Sequence, residues 1–163
     1  MSFISRNHPQ QVAVRGADDE VDDRGTPAEV FDPLNERYDF TVDVAAAPHN
    51  AKCERFYTRA DDGLAQDWTG ERVWCNPPYS DIRPWVEKAW RSRADVVAML
   101  LPGNRCEQAW WQDLIEPARD RGIGLTAEFL RGRTRFVMPG HDGVEPNQRP
   151  PFGCVLVIWS HVG

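Results

Sequence analysis

The chain has 163 residues, 41% hydrophobic and 27% charged, enough for one domain with a real core and ordinary for a globular protein. No run approaches the roughly 18 to 20 apolar residues that cross a bilayer, and the N-terminal MSFISRNHPQQ lacks the apolar segment of a signal peptide, so a cytoplasmic protein with no membrane partner is expected. The net charge of −6 does not exclude a nucleic-acid partner, because residues 1–82 carry 8 Lys+Arg against 16 Asp+Glu whereas residues 83–163 carry 11 against 9, which leaves room for a basic face on the second half.

Residues 1–23 are polar, acidic and without periodicity, which predicts a flexible N-terminal arm ahead of a single domain over 24–163. Thr26-Pro27 followed by AEVFDPLNERY predicts a helix, with Thr26 as the cap and Pro27 in the first helical position. FTVDVAA (Phe40 to Ala46) is β-rich and apolar apart from Asp43, so it predicts a buried strand. PHNAKCERF begins with a turn and predicts a short helix running into a small strand near Phe56-Tyr57. DDGLAQDWTGER is a loop with Asp62-Gly63 and Thr69-Gly70 as turn signals, and RVWCN is the next short strand.

SDIRPWVEKAWRSR places Ile82, Trp85, Val86, Ala89 and Trp90 at helical spacing. DVVAMLLP predicts a strand covered on both faces. CEQAWWQDLIEPARDRG predicts a further helix ending at Gly122. GLTAEFL, RTRFVM and CVLVIW predict three more strands, with the Pro/Gly-rich loop HDGVEPNQRPPFG before the last. Strands alternating with helices imply an α/β fold with a mostly parallel sheet and an antiparallel edge.

Cys53, Cys75, Cys106 and Cys154 lie 22, 31 and 48 residues apart. No C-x-x-C pair occurs and the four histidines are scattered, so no metal site is expected and the thiols read as buried or incidental. The seven tryptophans read mostly as core and helix packing.

The most informative stretch is VWCNPPYS. Asn76-Pro77-Pro78-Tyr79 follows a strand and precedes a helix, where ligands bind in an open α/β sheet. Proline lacks an N–H, fixes φ, and pushes its predecessor out of the helical region. The segment is therefore stiff and extended, with the Asn oxygen and proline carbonyls as acceptors and an aromatic ring beside them. Two converging acceptors and a π-face suit an aromatic amine. Accepting its hydrogens draws the nitrogen lone pair out of conjugation and makes it nucleophilic without a titrating base. An amine on a base in duplex DNA would have to be flipped out to reach them. The structural alternative is a Pro-Pro turn with an incidental Asn and Tyr.

The tetrapeptide resembles the catalytic motif of amino-methyltransferases that use S-adenosylmethionine. The wider order of motifs resembles the phage-type DNA N6-adenine methyltransferases. It runs from RGTPAEVFDPL through FTVDVAAAPHNAKCERFYT, DDGLAQDW, VWCNPPYSDIRPWVEKA, VVAMLLPGN, AWW and FLRGRTRF to PPFGCVLVIW, about Gly25 to Trp159.

The resemblance implies a Rossmann-like methyltransferase fold, S-adenosylmethionine as cofactor, double-stranded DNA as partner, and a phage or prophage source. It also implies that Asn76 and the Pro77 carbonyl bind the amine, with Pro78 holding the segment, and that Tyr79 stacks on a flipped adenine. Thr26-Pro27 would pack beside the methionine part of the cofactor. Asp43, Ala45 and Ala46 would form the first-strand cofactor loop, and Asp62 would meet the cofactor's adenine.

The chain departs from that pattern in two places. VDVAAAP stands where an F-x-G-x-G loop is usual, and no clear acid ends the second strand to hold ribose hydroxyls. Asp43 as a turn cap, Asp62-Gly63 as a turn and Thr26 as a helix cap are the structural alternatives. Arg131, Arg133 and Arg135 alternate, so a strand would turn all three guanidiniums to one face for DNA phosphates, or to acids on a solvated face. The same tetrapeptide chemistry also serves cytosine N4, RNA guanine and protein glutamine, and a catalytically silent DNA- or nucleotide-binding relic of the fold is the reading from another class.

Overall fold

The computed structural model describes residues 25–134 and 153–160. The expected N-terminal arm, Arg135 and most of HDGVEPNQRPPFG lie outside the described residues.

Helix α1 (Ala28–Tyr38) leads to strand β1 (Val42–Asp43), and a 3-10 turn (Gly63–Ala65) precedes β2 (Arg72–Cys75). There follow α2 (Arg83–Arg91), β3 (Val96–Pro102), α3 (Ala109–Leu114), β4 (Leu125–Phe129) and β5 (Cys154–Ser160). The sheet order is β1-β2-β3-β5-β4. β1, β2 and β3 are parallel, while β5 is antiparallel to both β3 and β4. β4 therefore runs with the first three, and β5 alone is reversed. This is the Rossmann-like, mostly parallel sheet expected, with one change: the reversed strand sits one place in from the edge. Its sequence explains that position, since six of the seven residues of CVLVIWS are buried, as a strand with neighbours on both sides requires.

Both faces are covered. Trp74 carries α1 through Phe31, ring centroids 5.2 Å apart, and Phe40 closes the group at 5.6 Å from Trp74. On the opposite face, Trp159 meets Trp90 at the end of α2 edge-on at 6.1 Å, and α2 buries Trp85, Val86 and Ala89. All seven residues of β3 are buried. The tryptophans thus serve the core, as expected, and at full burial each removes on the order of 150–250 Å² from water.

Several expected boundaries move. α1 begins at Ala28 with Pro27 as its N-cap and no side-chain cap, so Thr26 lies one residue outside and its hydroxyl is engaged elsewhere. β1 shortens to two residues, and the chain beyond it bends into the next loop. PHNAKCERF forms turns rather than a helix, and the small strand near Phe56 is a single parallel bridge to Asp43. α3 stops at Leu114 and continues only as turns.

The arginine expectation needs correction where it is described. β4 ends at Phe129, and Arg131 lies in a bend beside Gly132, whose φ of +70° is a left-handed conformation no strand adopts. Arg131 and Arg133 are therefore not alternate strand positions.

Candidate active site

Parallel strands deliver their carboxyl ends to one edge of a sheet, and loops there form the site. In this chain residues 44–47 leave β1, residues 76–79 leave β2, residues 103–105 leave β3 and residues 130–133 leave β4, all at the same edge.

Asn76-Pro77-Pro78-Tyr79 is held by contacts distant in sequence. Asn76 Nδ2 donates to Thr26 Oγ1 at 3.1 Å, and Thr26 is only 2% exposed. Tyr79 Oη donates to the Leu100 carbonyl on β3 at 3.1 Å, and the Arg105 guanidinium donates to the Tyr79 carbonyl. The Pro78 carbonyl accepts from the Asp81 amide at 3.3 Å. The Pro77 carbonyl accepts no hydrogen bond among the described residues. With its hydroxyl committed to β3 and only 8% of its surface exposed, Tyr79 has its ring alone to offer a ligand.

Beside this segment lies an open cleft of ≈ 590 Å³, the solvent at its mouth included. Ala45, Ala46, Asp62, Asn76 and Pro78 all line it. The structure thus brings together five residues drawn from three separate stretches of sequence. Val44 and Ala47 flank the two alanines, and Asn50, Thr58, Arg59, Gly63 and Trp85 complete the wall; of these last five only Trp85 and Gly63 stand out in the sequence, the first as a helix-spacing residue and the second as a turn.

Asp43 is not in that wall. It is 3% exposed, and its carboxylate accepts from the amides of Ala45 at 3.3 Å and Lys52 at 3.0 Å. Burial pushes its pKa from the ordinary 3.8 up to about 6, against the lowering effect of those two amides. The structure gives it the work of shaping the loop. The Ala46 amide donates to the Tyr57 carbonyl at 3.0 Å and the Ala47 amide to Asn50 Oδ1 at 2.8 Å. Three successive loop amides are therefore consumed internally, whereas a glycine-rich loop turns such donors toward its ligand.

The close backbone approach that such glycines allow occurs at Gly63 instead. A Cβ there would lie 1.9 Å from the Val44 carbonyl oxygen and 3.3 Å from the Trp85 ring. Only glycine lets the 58–63 segment close on the end of β1, and its own carbonyl receives Trp68 Nε1 at 3.0 Å.

A second cleft, ≈ 970 Å³ with the solvent at its mouth included, is lined by Pro27, Arg131 and Arg133 together with Glu29 and Glu128. Pro27 of this cleft is one residue from Thr26, which accepts from Asn76 of the first cleft.

The thiol nearest the site is no nucleophile. Burial first, and the nearby Asp43 second, push the Cys75 thiol well above its ordinary range, and only a thiolate attacks. Burial likewise keeps the Tyr79 hydroxyl protonated.

The model of the family described as DNA N-6-adenine-methyltransferase (Dam) matches residues 15–162. The chain belongs to that family. A DNA N-6-adenine-methyltransferase of Escherichia phage T1 is 34% identical over 99 residues, 58% of this chain and 41% of its own length. One of Haemophilus phage HP1 is 42% identical over 50 residues, 31% of this chain and 29% of its own length. The matched stretches thus span less than half of either phage relative. A solved structure from Pyrococcus horikoshii, provisionally described as an RNA methyltransferase, aligns at 17% identity and a TM-score of 0.39 over 66% of this chain and 50% of its own.

Within this Dam-family chain, the site residues that sequence reading missed are Arg59, Asn50, Thr58 and Arg105. Asn50 and Thr58 lie within FTVDVAAAPHNAKCERFYT without standing out there, and Arg59 and Arg105 sit in polar loops just beyond the motif stretches. Among the described residues, no helix is long and apolar enough to cross a membrane.

Proposed function

We propose that the chain is a DNA methyltransferase that moves a methyl group from S-adenosylmethionine to N6 of an adenine flipped out of the duplex. One observation carries the reading. Asn76 lines the cleft at the carboxyl edge of the sheet with its amide nitrogen donating to Thr26, and the next residue, Pro77, carries a carbonyl that accepts no hydrogen bond among the described residues.

The residues present fit the cofactor. The wall combines an apolar floor at Val44, Ala45 and Ala46 and the Trp85 ring with one cation, Arg59, and one acid, Asp62. That suits a molecule with a flat purine, ribose hydroxyls and a zwitterionic tail. Because the Ala45, Ala46 and Ala47 amides are used within the protein, recognition of the tail falls to side chains. When bound, S-adenosylmethionine supplies an electrophilic methyl group on a sulfonium.

The chain's own part is positional. Asn76 Oδ1 and the Pro77 carbonyl accept the two hydrogens of the N6 amine and free its lone pair to point at the methyl carbon. With S-adenosylmethionine bound, its sulfonium would supply the methyl group as its carbon–sulfur bond is broken, the amine nitrogen would take that carbon, and the surplus amine proton would pass to water. No residue in the wall needs to titrate for this, and the Cys75 and Tyr79 groups remain neutral. Tyr79 offers its ring edge or face to the base, and the cleft beside Pro27 gives the base its approach. Arg131 and Arg133 at that cleft serve DNA phosphates, in double-stranded DNA within a bacterial or phage-infected cytoplasm. Replacing both with alanine should lower the slope of log affinity against log salt by about 1.8, at about 0.9 for each phosphate no longer neutralised.

The reading is tested by incubating the full chain with unmethylated DNA and labelled S-adenosylmethionine, then separating nucleosides. N6-methyladenine is the expected product. N4-methylcytosine would move the acceptor, and no methylated nucleoside from a folded, cofactor-binding protein would overturn the reading.

A further inference from the structure

Strand β4 is an edge of the sheet, and its side chains alternate in direction. Leu125 is buried and Phe129 meets the Trp111 ring at 6.0 Å, so that face packs toward α3. Glu128 projects from the other face, in register with Leu156, and lines the second cleft with Arg131 and Arg133. Two acids and two arginines share this cleft. None of the four side chains has an ion pair or hydrogen bond among the described residues.

Glu29 has a local reason to be acidic, since it stands in the first turn of α1, where the helix dipole favours an anion. Glu128 has no such reason, because glutamate is depleted in strands. Beside arginines that serve phosphates, its carboxylate works against DNA affinity. A group that weakens affinity still supplies discrimination when it repels the wrong partner. A carboxylate only accepts, and the base edges of the major groove differ in what they show it. Guanine presents two acceptors, thymine an acceptor and a methyl group, and adenine an acceptor beside its amine. Cytosine alone presents a donor without an acceptor.

We propose that Glu128 is a specificity-determining residue that accepts from the N4 amine of a cytosine close to the target adenine, while Arg131 and Arg133 hold phosphates. This rests on the reading of the chain as a DNA adenine methyltransferase. The cleft is near enough to the acceptor segment for such a role: Pro27 lines it, and the adjacent Thr26 lies 3.1 Å from Asn76. A charge on an edge strand also guards against self-pairing, a role that would affect association and leave sequence preference alone.

The test gives the full chain S-adenosylmethionine and duplexes with one target adenine in randomised flanks, then reads the methylated contexts by sequencing that detects N6-methyladenine. Wild type should favour cytosine at one flanking position. Glu128→Gln keeps the shape and adds a donor, and a glutamine amide matches the N6 and N7 of adenine. The preference for cytosine over adenine at that position should therefore fall by about 5- to 150-fold, with the other positions unchanged. Arg131→Ala with Arg133→Ala should lower methylation evenly across contexts, since phosphate contacts carry no sequence information directly.

No cytosine preference in wild type, a Glu128→Gln profile that matches wild type, or an even loss across all contexts overturns the proposal. A changed association state in sedimentation, with an unchanged profile, also overturns it and leaves Glu128 as edge protection. If Glu128→Gln does not fold, Glu128→Thr, which suits a strand, decides: the cytosine preference should be lost at the same position, and its survival overturns the proposal. A wild-type chain that makes no N6-methyladenine refutes the functional reading instead, so the two failures are distinguishable.

Discussion

The two halves of the site are built differently. Asn76-Pro77-Pro78-Tyr79 is pinned at both ends by contacts to Thr26, Leu100 and Arg105, and its chemistry lies in named side chains and carbonyls. The loop after β1 turns inward, with the Ala45, Ala46 and Ala47 amides bonded to Asp43, Tyr57 and Asn50. Its shape is held by a buried carboxylate and by Gly63, well beyond the loop in sequence. A rigid acceptor is made by removing donors; a cleft wall is made by bringing backbones close. The first leaves a mark in four adjacent letters and the second does not.

The largest effect that breaks the contrast is expected at Gly63. Gly63→Ala places a methyl 1.9 Å from the Val44 carbonyl, and a backbone oxygen cannot move aside cheaply. Urea unfolding should show a loss of about 1–3 kcal/mol, and calorimetric titration with S-adenosylmethionine should show weakened binding. An alanine variant with wild-type stability and affinity would place the close approach elsewhere.

Asp43 gives an effect of the same order on stability alone. Its folded pKa, about 6, lies above that of an exposed aspartate near 3.9, so the folded state holds this proton more tightly than the unfolded chain. The contribution is fully present below about pH 4 and is lost as pH rises through about 6. At about 1.36 kcal/mol per pKa unit the loss is about 3 kcal/mol. Stability measured for the wild type minus that for Asp43→Asn should therefore fall by about that much between about pH 4 and pH 7, other groups cancelling in the difference. A flat difference would show the carboxyl to be solvated.

Tyr79→Phe is the smallest. It removes the hydroxyl that bonds to Leu100 and Cys154 and keeps the ring, so at least about 0.5–1.5 kcal/mol of stability should be lost. A loss of cofactor binding in that variant would instead join the two halves more closely than their contacts indicate.

The sheet was legible because its strands are short apolar runs; β3, buried along all seven residues, reads as a doubly covered strand without further help. The reversal of β5 was legible too, but not its place, because register between strands distant in sequence is set by tertiary pairing. Asn76 to Tyr79 stood out because two prolines and their neighbours carry the chemistry in their own covalent structure. Asp62, Ala45 and Ala46 line the first cleft. Asp43 does not, since a carboxylate that organises amides and one that meets a ligand look alike in sequence. Thr26 reads as a helix cap or, by resemblance, as a cofactor neighbour: nothing local to it shows that Asn76 lies within hydrogen-bond reach. Arg131 and Arg133 reach one cleft by a bend at Gly132 rather than by strand alternation. That bend needs a glycine, which is visible, and a direction, which is not.

The central claim is that Asn76 activates the amine and does not hold the fold or the cofactor. Asn76→Ala separates these in one preparation, by titration with S-adenosylmethionine followed by single-turnover methylation of unmethylated DNA. Cofactor affinity within about threefold of wild type, with N6-methyladenine formation reduced about a thousandfold or more, is the expected result. Full turnover in a folded Asn76→Ala chain would contradict it.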